Sequence, residues 1–253
     1  MNENINLKFG SLTQAIKSII LLLLLIYGLM FILSYPAQLL NASGYVMPVS
    51  HTLALFIFIL ILKPGTGKIA GLFSRKIPFM IYVLSTVISV VILSIEFPLL
   101  VKLPVINDGM KTLNGFNIVS IIIYGIVLIP VLEETIFRGL ILGDFLLAYS
   151  PAKAILLSSA LFACIHPNPS QIINAFIIGL FLGWIFYKTG SILPGILVHA
   201  ILNSSSGILF KYLSSNAVYF KGNGITYIIM YAICLCILFI ALIAINKRVL
   251  RLN

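Results

Sequence analysis

The sequence predicts an all-α membrane protein, a polytopic bundle of about eight transmembrane helices around a polar intramembrane cavity. Three observations carry that expectation. Hydrophobic residues fill 61% of the 253 positions and charged residues only 9%, with a mean hydropathy of +1.16, far outside the range of soluble domains. Apolar runs near the length of about 20 residues that a helix needs to cross a bilayer recur from end to end. Most charges sit between those runs or near their ends, and one stretch stands apart. The stretch Val131 to Leu142, VLEETIFRGLIL, sets two adjacent carboxylates and an arginine inside an apolar segment. Ionisable groups there are costly and usually face a polar cavity, have partners and mark function.

The first span is Ser18 to Tyr35. It follows Lys8 and Lys17 as a signal peptide would, yet it is longer than a typical signal core, has no A-x-A-like cleavage site and is followed by more spans. Met47 to Leu62 and Pro78 to Leu100 come next. Between them, Leu62 to Arg75 carries Gly65, Gly67 and Gly71 among lysines but lacks the G-x-x-x-x-G-K-[ST] order of a phosphate loop, and it reads as a cytoplasmic turn. The fourth span, Phe116 to Leu132, is expected to continue as helix through the glutamates toward Tyr149. Pro130 should kink it, because proline removes a backbone donor and clashes with the preceding turn. The fifth, Ala152 to His166, is short and stopped by Pro167 and Pro169, and interrupted segments tend to line cavities. Gln171 to Tyr187, Ile192 to Leu209 and Gly224 to Ile245 complete the set. With no fixed-period repeat and no soluble stretch, residues 1–253 read as a single transmembrane domain with 116–209 as its catalytic core.

The net charge of +10 does not point to nucleic acid, since the basic residues occur singly or in pairs and form no stripe. They read as topology determinants. An even number of spans puts both termini on one side, together with Lys8, Lys17, Lys63, Lys68, Arg75, Lys76, Lys153, Lys188, Lys247, Arg248 and Arg251. Lys102, Lys111, Lys211 and Lys221 fall on the other side, so the termini are expected in the cytoplasm. The chain is expected to be a multi-pass protein of a cell membrane, the plasma membrane of a bacterium on the strength of its compactness. Cys164, Cys234 and Cys236 all lie in apolar segments and lack the second pair of a structural zinc site, which makes them buried, inert thiols.

On a helix, Glu134 and Arg138 are four apart and share a face, whereas Glu133 points about 100° away. Arg138 can neutralise and orient Glu134. Glu133, left without a local cation, is the general base of choice; the bland alternative is an interfacial helix end carrying an ion pair. Phe162 and His166 form another i, i+4 pair in which the ring can pack beside the imidazole and limit its orientation. His199 and Asn203 lie one turn apart in the seventh span. They could hold a developing oxyanion with a ring N–H and an amide N–H, or simply hydrogen-bond between helices. His51, with no carboxylate or second histidine nearby in sequence, and Glu96, near the outer end of its span, have lesser claims. Asp144 reads as interfacial.

Glu133-Glu134-x-x-x-Arg138, Phe162-x-x-x-His166 and His199-x-x-x-Asn203, in this order, resemble the signature of the CAAX protease and bacteriocin-processing (Abi) family, which includes the Ras-converting enzyme. The resemblance covers about Phe116 to Leu209. It implies an eight-helix intramembrane endopeptidase in which Glu133 and His166 activate the attacking water and His199 and Asn203 stabilise the oxyanion, with Glu134, Arg138 and Phe162 in support. The substrate implied is a membrane-associated peptide or protein in the lipid bilayer, with no nucleic acid partner. A peptide or membrane protein is favoured over a prenylated C-terminus.

Zinc is the cofactor these residues could hold, through Glu133 or Glu134 with His166 and His199 and an open water position. Asn203 is a poor zinc ligand, which tips the expectation toward no tightly bound metal. Other intramembrane proteases are absent by motif: there is no H-E-x-x-H, no G-x-S-G and no G-x-G-D. The main alternative is a non-hydrolytic immunity or scaffold protein of the same frame, as in bacteriocin self-immunity. A proton-coupled transporter ranks third, since no internal repeat of the kind transporters often carry is visible.

Overall fold

The computed structural model describes residues 9–40, 42, 45–64, 66–100, 119, 121–166, 169–204 and 224–249. Among these every element of regular structure is helical, with α1 at Leu12–Leu39, α2 at Val46–Leu62, α3 at Thr66–Ser74 and α4 at Phe79–Leu100. A helical run follows from a π-helical stretch, Ile121–Leu128, through α5 (Ile129–Glu134), a second π-helical stretch, Thr135–Leu142, and α6 (Gly143–Ala148). Then come α7 (Pro151–Cys164), α8 (Pro169–Thr189), α9 (Leu193–Ser204) and α10 (Gly224–Val249). The α1, α8 and α10 segments are long and apolar enough to cross a membrane, with up to four such spans if a bent pair counts as one. The protein is an all-α, multi-pass membrane bundle.

The expected spans coincide with α1, α2, α4 and α7 to α10 to within a few residues at most described ends, and the glutamate-bearing helix does continue to Ala148. The start of the fourth span at Phe116 and the end of the seventh at Leu209 lie outside the described residues, as do Lys8, Pro167, Arg251, the side chain of Glu96 and the four basic residues assigned to the outer face. The reading of the stretch Leu62 to Arg75 is corrected. The segment taken as a turn between the second and third spans contains α3, because Ile69, Leu72 and Phe73 recur at helical spacing within a segment whose glycines suggested a loop.

The chain divides into two compact units, residues 1–75 with 131–195, and 76–130 with 196–253. In the first, a capping box starts α1: the Ser11 hydroxyl accepts from Gln14 N–H at 3.3 Å and the Gln14 side chain accepts from Ser11 N–H at 3.2 Å. Ala15, Ile19, Leu22 and Ile26 give α1 its buried stripe, and Ser50, Ala54, Leu55 and Phe58 that of α2. Lipid tails are as apolar as leucine, so helices associate in a membrane through close packing rather than through water exclusion. The α7–α8 contact shows how. A Cβ on Gly179 would lie 3.1 Å from the Cβ of Ser159, and one on Gly183 3.1 Å from Cγ2 of Ile155. These two glycines, one turn apart, let the backbones meet.

The short α3 is tied in at both ends. Leu72 packs so closely on Gly139 that a Cβ there would have to displace the leucine methyl, and the Leu72 carbonyl accepts from Ser191 Oγ and Ile192 N–H, each at 3.3 Å. Asp144, expected at the interface, is buried within the protein. Its carboxylate accepts from Lys68 Nζ at 2.6 Å and from Phe9 N–H at 3.0 Å, joining α3 and the residues before α1 to α6.

In the second unit α4 packs on α10. The buried face of α4 includes Ile81, Ser85, Ile88, Ser89 and Val91, and that of α10 includes Cys234, Ala241 and Ile245. Only one thiol is therefore in a core: Cys164 and Cys236 are exposed on helix surfaces, contrary to expectation. Neither helix needs their sides for packing.

Candidate active site

The two carboxylates stand at the last two positions of α5, immediately before the π-helical stretch Thr135–Leu142. π-Helical turns are rare and concentrate at functional sites. Glu133, Glu134 and Arg138 are 2%, 0% and 1% exposed, so all three charges are enclosed by protein. Arg138 Nη1 donates to Glu134 Oε1 at 2.8 Å, the pairing that the i, i+4 spacing predicts. The other end of the guanidinium reaches the Gly179 carbonyl at 3.5 Å, and its carbon lies 4.3 Å from the centre of the Phe162 ring. Room for Glu134 comes from Gly195, where an added Cβ would sit 3.0 Å from Glu134 Oε2.

Phe162 links this pair to His166. The phenyl ring stands edge-on to the imidazole with centroids 5.1 Å apart, and edge-on to Phe137 at 5.2 Å. The arginine and the histidine thus share one aromatic wedge. The end of α7 sets the histidine's protons. In a continuing helix, the Phe162 carbonyl would receive the N–H of residue 166, four positions on. Here that N–H turns to Ala163 O at 3.1 Å, and ring Nδ1 of His166 lies 3.1 Å from the Phe162 carbonyl in its place. A carbonyl only accepts, so Nδ1 carries the proton and Nε2 of the neutral ring is the acceptor.

Glu133 was expected to lack a local cation, but Arg138 of the same helical run acts on it electrostatically as well as on Glu134, and another helix supplies a polar partner. His51 Nε2 lies 2.8 Å from Glu133 Oε1, across 82 positions of sequence. Sequence reasoning gave His51 a minor place because its neighbours in the chain are apolar. The signal available was the isolated polar run Ser50-His51-Thr52 at the start of an otherwise apolar α2.

His199 and Asn203 lie one turn apart in the part of α9 that belongs to the second unit, and His199 is buried. Asn203 Nδ2 donates to the Gly125 carbonyl at 2.9 Å. Gly125 lies in the π-helical stretch Ile121–Leu128, where a carbonyl's partner is the N–H five residues on. That residue is Pro130, which has no N–H. The asparagine amide therefore completes a hydrogen bond that proline cannot make.

The first unit brings Glu133, Glu134, Arg138, Phe162 and His166 onto linked elements and adds His51. Among the described residues of this unit, no three His, Cys, Asp or Glu side chains form a group that could hold a metal ion. The arrangement offers a buried carboxylate held by an imidazole, and a second imidazole with a defined acceptor nitrogen. Such a pair can take up and return the protons of a water molecule.

Residues 115–205 match the family model described as type II CAAX prenyl endopeptidase Rce1-like. No curated protein matches the chain, and no solved structure does. The matched stretch contains all three motifs, from Glu133 to Asn203, and in it the chain is similar to that family of endopeptidases.

Proposed function

We propose that the protein is an intramembrane endopeptidase that hydrolyses a peptide bond of a membrane-associated peptide or protein, using Glu133 and His166 to activate water and His199 and Asn203 to hold the oxyanion. The observation that carries this reading is the linked set Glu134, Arg138, Phe162 and His166 beside the buried Glu133, inside the segment that matches the endopeptidase family.

In the proposed reaction, Glu133 takes a proton from a water molecule that also donates to His166 Nε2. The hydroxide attacks the scissile carbonyl carbon, and the C=O π pair moves onto oxygen. N–H donors of His199 and Asn203 stabilise that negative charge, a contribution that commonly reaches 10²- to 10³-fold per donor. Collapse re-forms the carbonyl and breaks the C–N bond, and the proton taken by Glu133 goes to the departing amine. Arg138 pairs with Glu134 and fixes it, and Glu133 is the carboxylate assigned to proton transfer. The step is written without a tightly bound metal, and the substrate class is a peptide or membrane protein rather than a prenylated C-terminus. The protein is placed in the cell membrane with both termini cytoplasmic.

The test is cleavage by the purified protein in liposomes, read by mass spectrometry on a library of hydrophobic peptides that includes farnesylated CAAX sequences. Glu133→Ala should remain folded and cut nothing that the wild type cuts. Full activity in that variant refutes the assignment, and a wild type that cuts no peptide or membrane protein refutes the reaction.

A further inference from the structure

His51 belongs to none of the three motifs, yet its Nε2 lies 2.8 Å from Glu133 Oε1. The histidine lies in the second turn of α2, within the run Ser50-His51-Thr52, after which α2 is apolar to its end at Leu62. Polar groups in a membrane helix are costly and persist where they have partners and a use. Ser50 is fully buried beside it, and the His51 side chain is itself 12% exposed against 2% for Glu133. The contact is therefore largely enclosed.

The chemistry of the pair fixes its direction. An ionised carboxylate only accepts, so His51 donates through Nε2–H. His166, whose Nδ1 is committed to Phe162 O, presents the opposite tautomer. The two rings thus do different things: His166 offers an acceptor nitrogen, and His51 offers a donor. Resting on the reading of Glu133 as the general base, we infer that His51 is a positioning residue that holds the Glu133 carboxylate in one orientation through Oε1. In that orientation the carboxylate meets the attacking water. Outer-shell partners of this kind keep a reacting group within the small angular range that catalysis tolerates. The specificity of the arrangement is that its anchor comes from α2, outside the matched residues 115–205.

The experiment compares His51→Ala, His51→Gln and Glu133→Ala with the wild type on the peptide that the wild type cuts fastest in the library above. Losing one hydrogen bond to a charged group should lower kcat of His51→Ala by roughly 10- to 100-fold with KM unchanged within about twofold. His51→Gln keeps an N–H donor at a similar reach and should recover most of the rate. A thermal melt of each variant separates this from a purely structural tie, which would lower stability without a kcat change that glutamine rescues. As a measurement independent of turnover, His51→Cys with Glu133→Cys in a background of Cys164→Ala, Cys234→Ala and Cys236→Ala should cross-link readily with a short thiol reagent. An unchanged kcat in His51→Ala while Glu133→Ala is dead, a loss that glutamine does not relieve, or failure of the cysteine pair to cross-link overturns the inference alone. Full activity in Glu133→Ala overturns the proposed function instead.

Discussion

Replacing Arg138 by methionine tests how the buried charges are balanced. The guanidinium and the Glu134 carboxylate are 2.8 Å apart at 1% and 0% side-chain exposure. Removing one member of such a pair leaves a charge in a dry site and costs about 3–5 kcal/mol, whereas replacing both by apolar groups of similar volume is often neutral or stabilising. Arg138→Met should therefore be severely destabilised. Glu134→Met with Arg138→Met should recover most of the loss, short of the roughly 1–2 kcal/mol that the guanidinium gains over the Phe162 ring. At roughly 2–4 °C per kcal/mol for a chain of this size, the single variant should melt on the order of 10 °C below the wild type and the double variant within a few degrees of it. The single tryptophan, Trp184 on α8, reports the transition by fluorescence in detergent micelles. A single variant that melts with the wild type, or a double variant no better than the single, would show that the pair is not the enclosed couple described here.

Other substitutions probe the neighbouring contacts. Gly195→Ala places a methyl 3.0 Å from Glu134 Oε2; cleavage should fall several-fold with little loss of melting temperature, and Gly195→Ser should be no better. Gly183→Leu forces α7 and α8 apart at Ile155 and should cost about 1–3 kcal/mol, the range of overpacking, read by the same melt. Asn203→Ala orphans the Gly125 carbonyl, at about 0.6 kcal/mol for an average membrane hydrogen bond; in a Pro130→Ala background, where residue 130 regains its N–H, that penalty should shrink, and a double-mutant cycle measures it. Asp144→Ala removes the acceptor of Phe9 N–H and Lys68 Nζ, so limited proteolysis near the N-terminus should quicken.

The spans and local pairs were legible in the sequence because both depend on short-range spacing. Twenty apolar residues announce a crossing helix, and Glu134 with Arg138, or Phe162 with His166, announce themselves by a separation of four. What depends on contacts between distant segments was not legible. The approach of His51 to Glu133 joins residues 82 apart, and no periodicity encodes it. The α3 helix was hidden because its glycines, read one at a time, signal a loop, while Leu72 finds its place only against Gly139. The thiols show the reverse error: an apolar neighbourhood in sequence implied burial, yet in a membrane the outer face of a helix is just as apolar, and Cys164 and Cys236 lie there.

The imidazole of His166 and the amide of Asn203 each stand in for a main-chain donor, one where α7 stops and the other where a proline interrupts the ladder. Deleting either side chain takes that donor away from its carbonyl. Alanine scanning at either position will mix any lost chemistry with local unravelling, so near-isosteric exchanges such as His166→Gln and Asn203→Asp are the informative ones, and tolerance of change at these positions should track what the replacement can donate rather than its size.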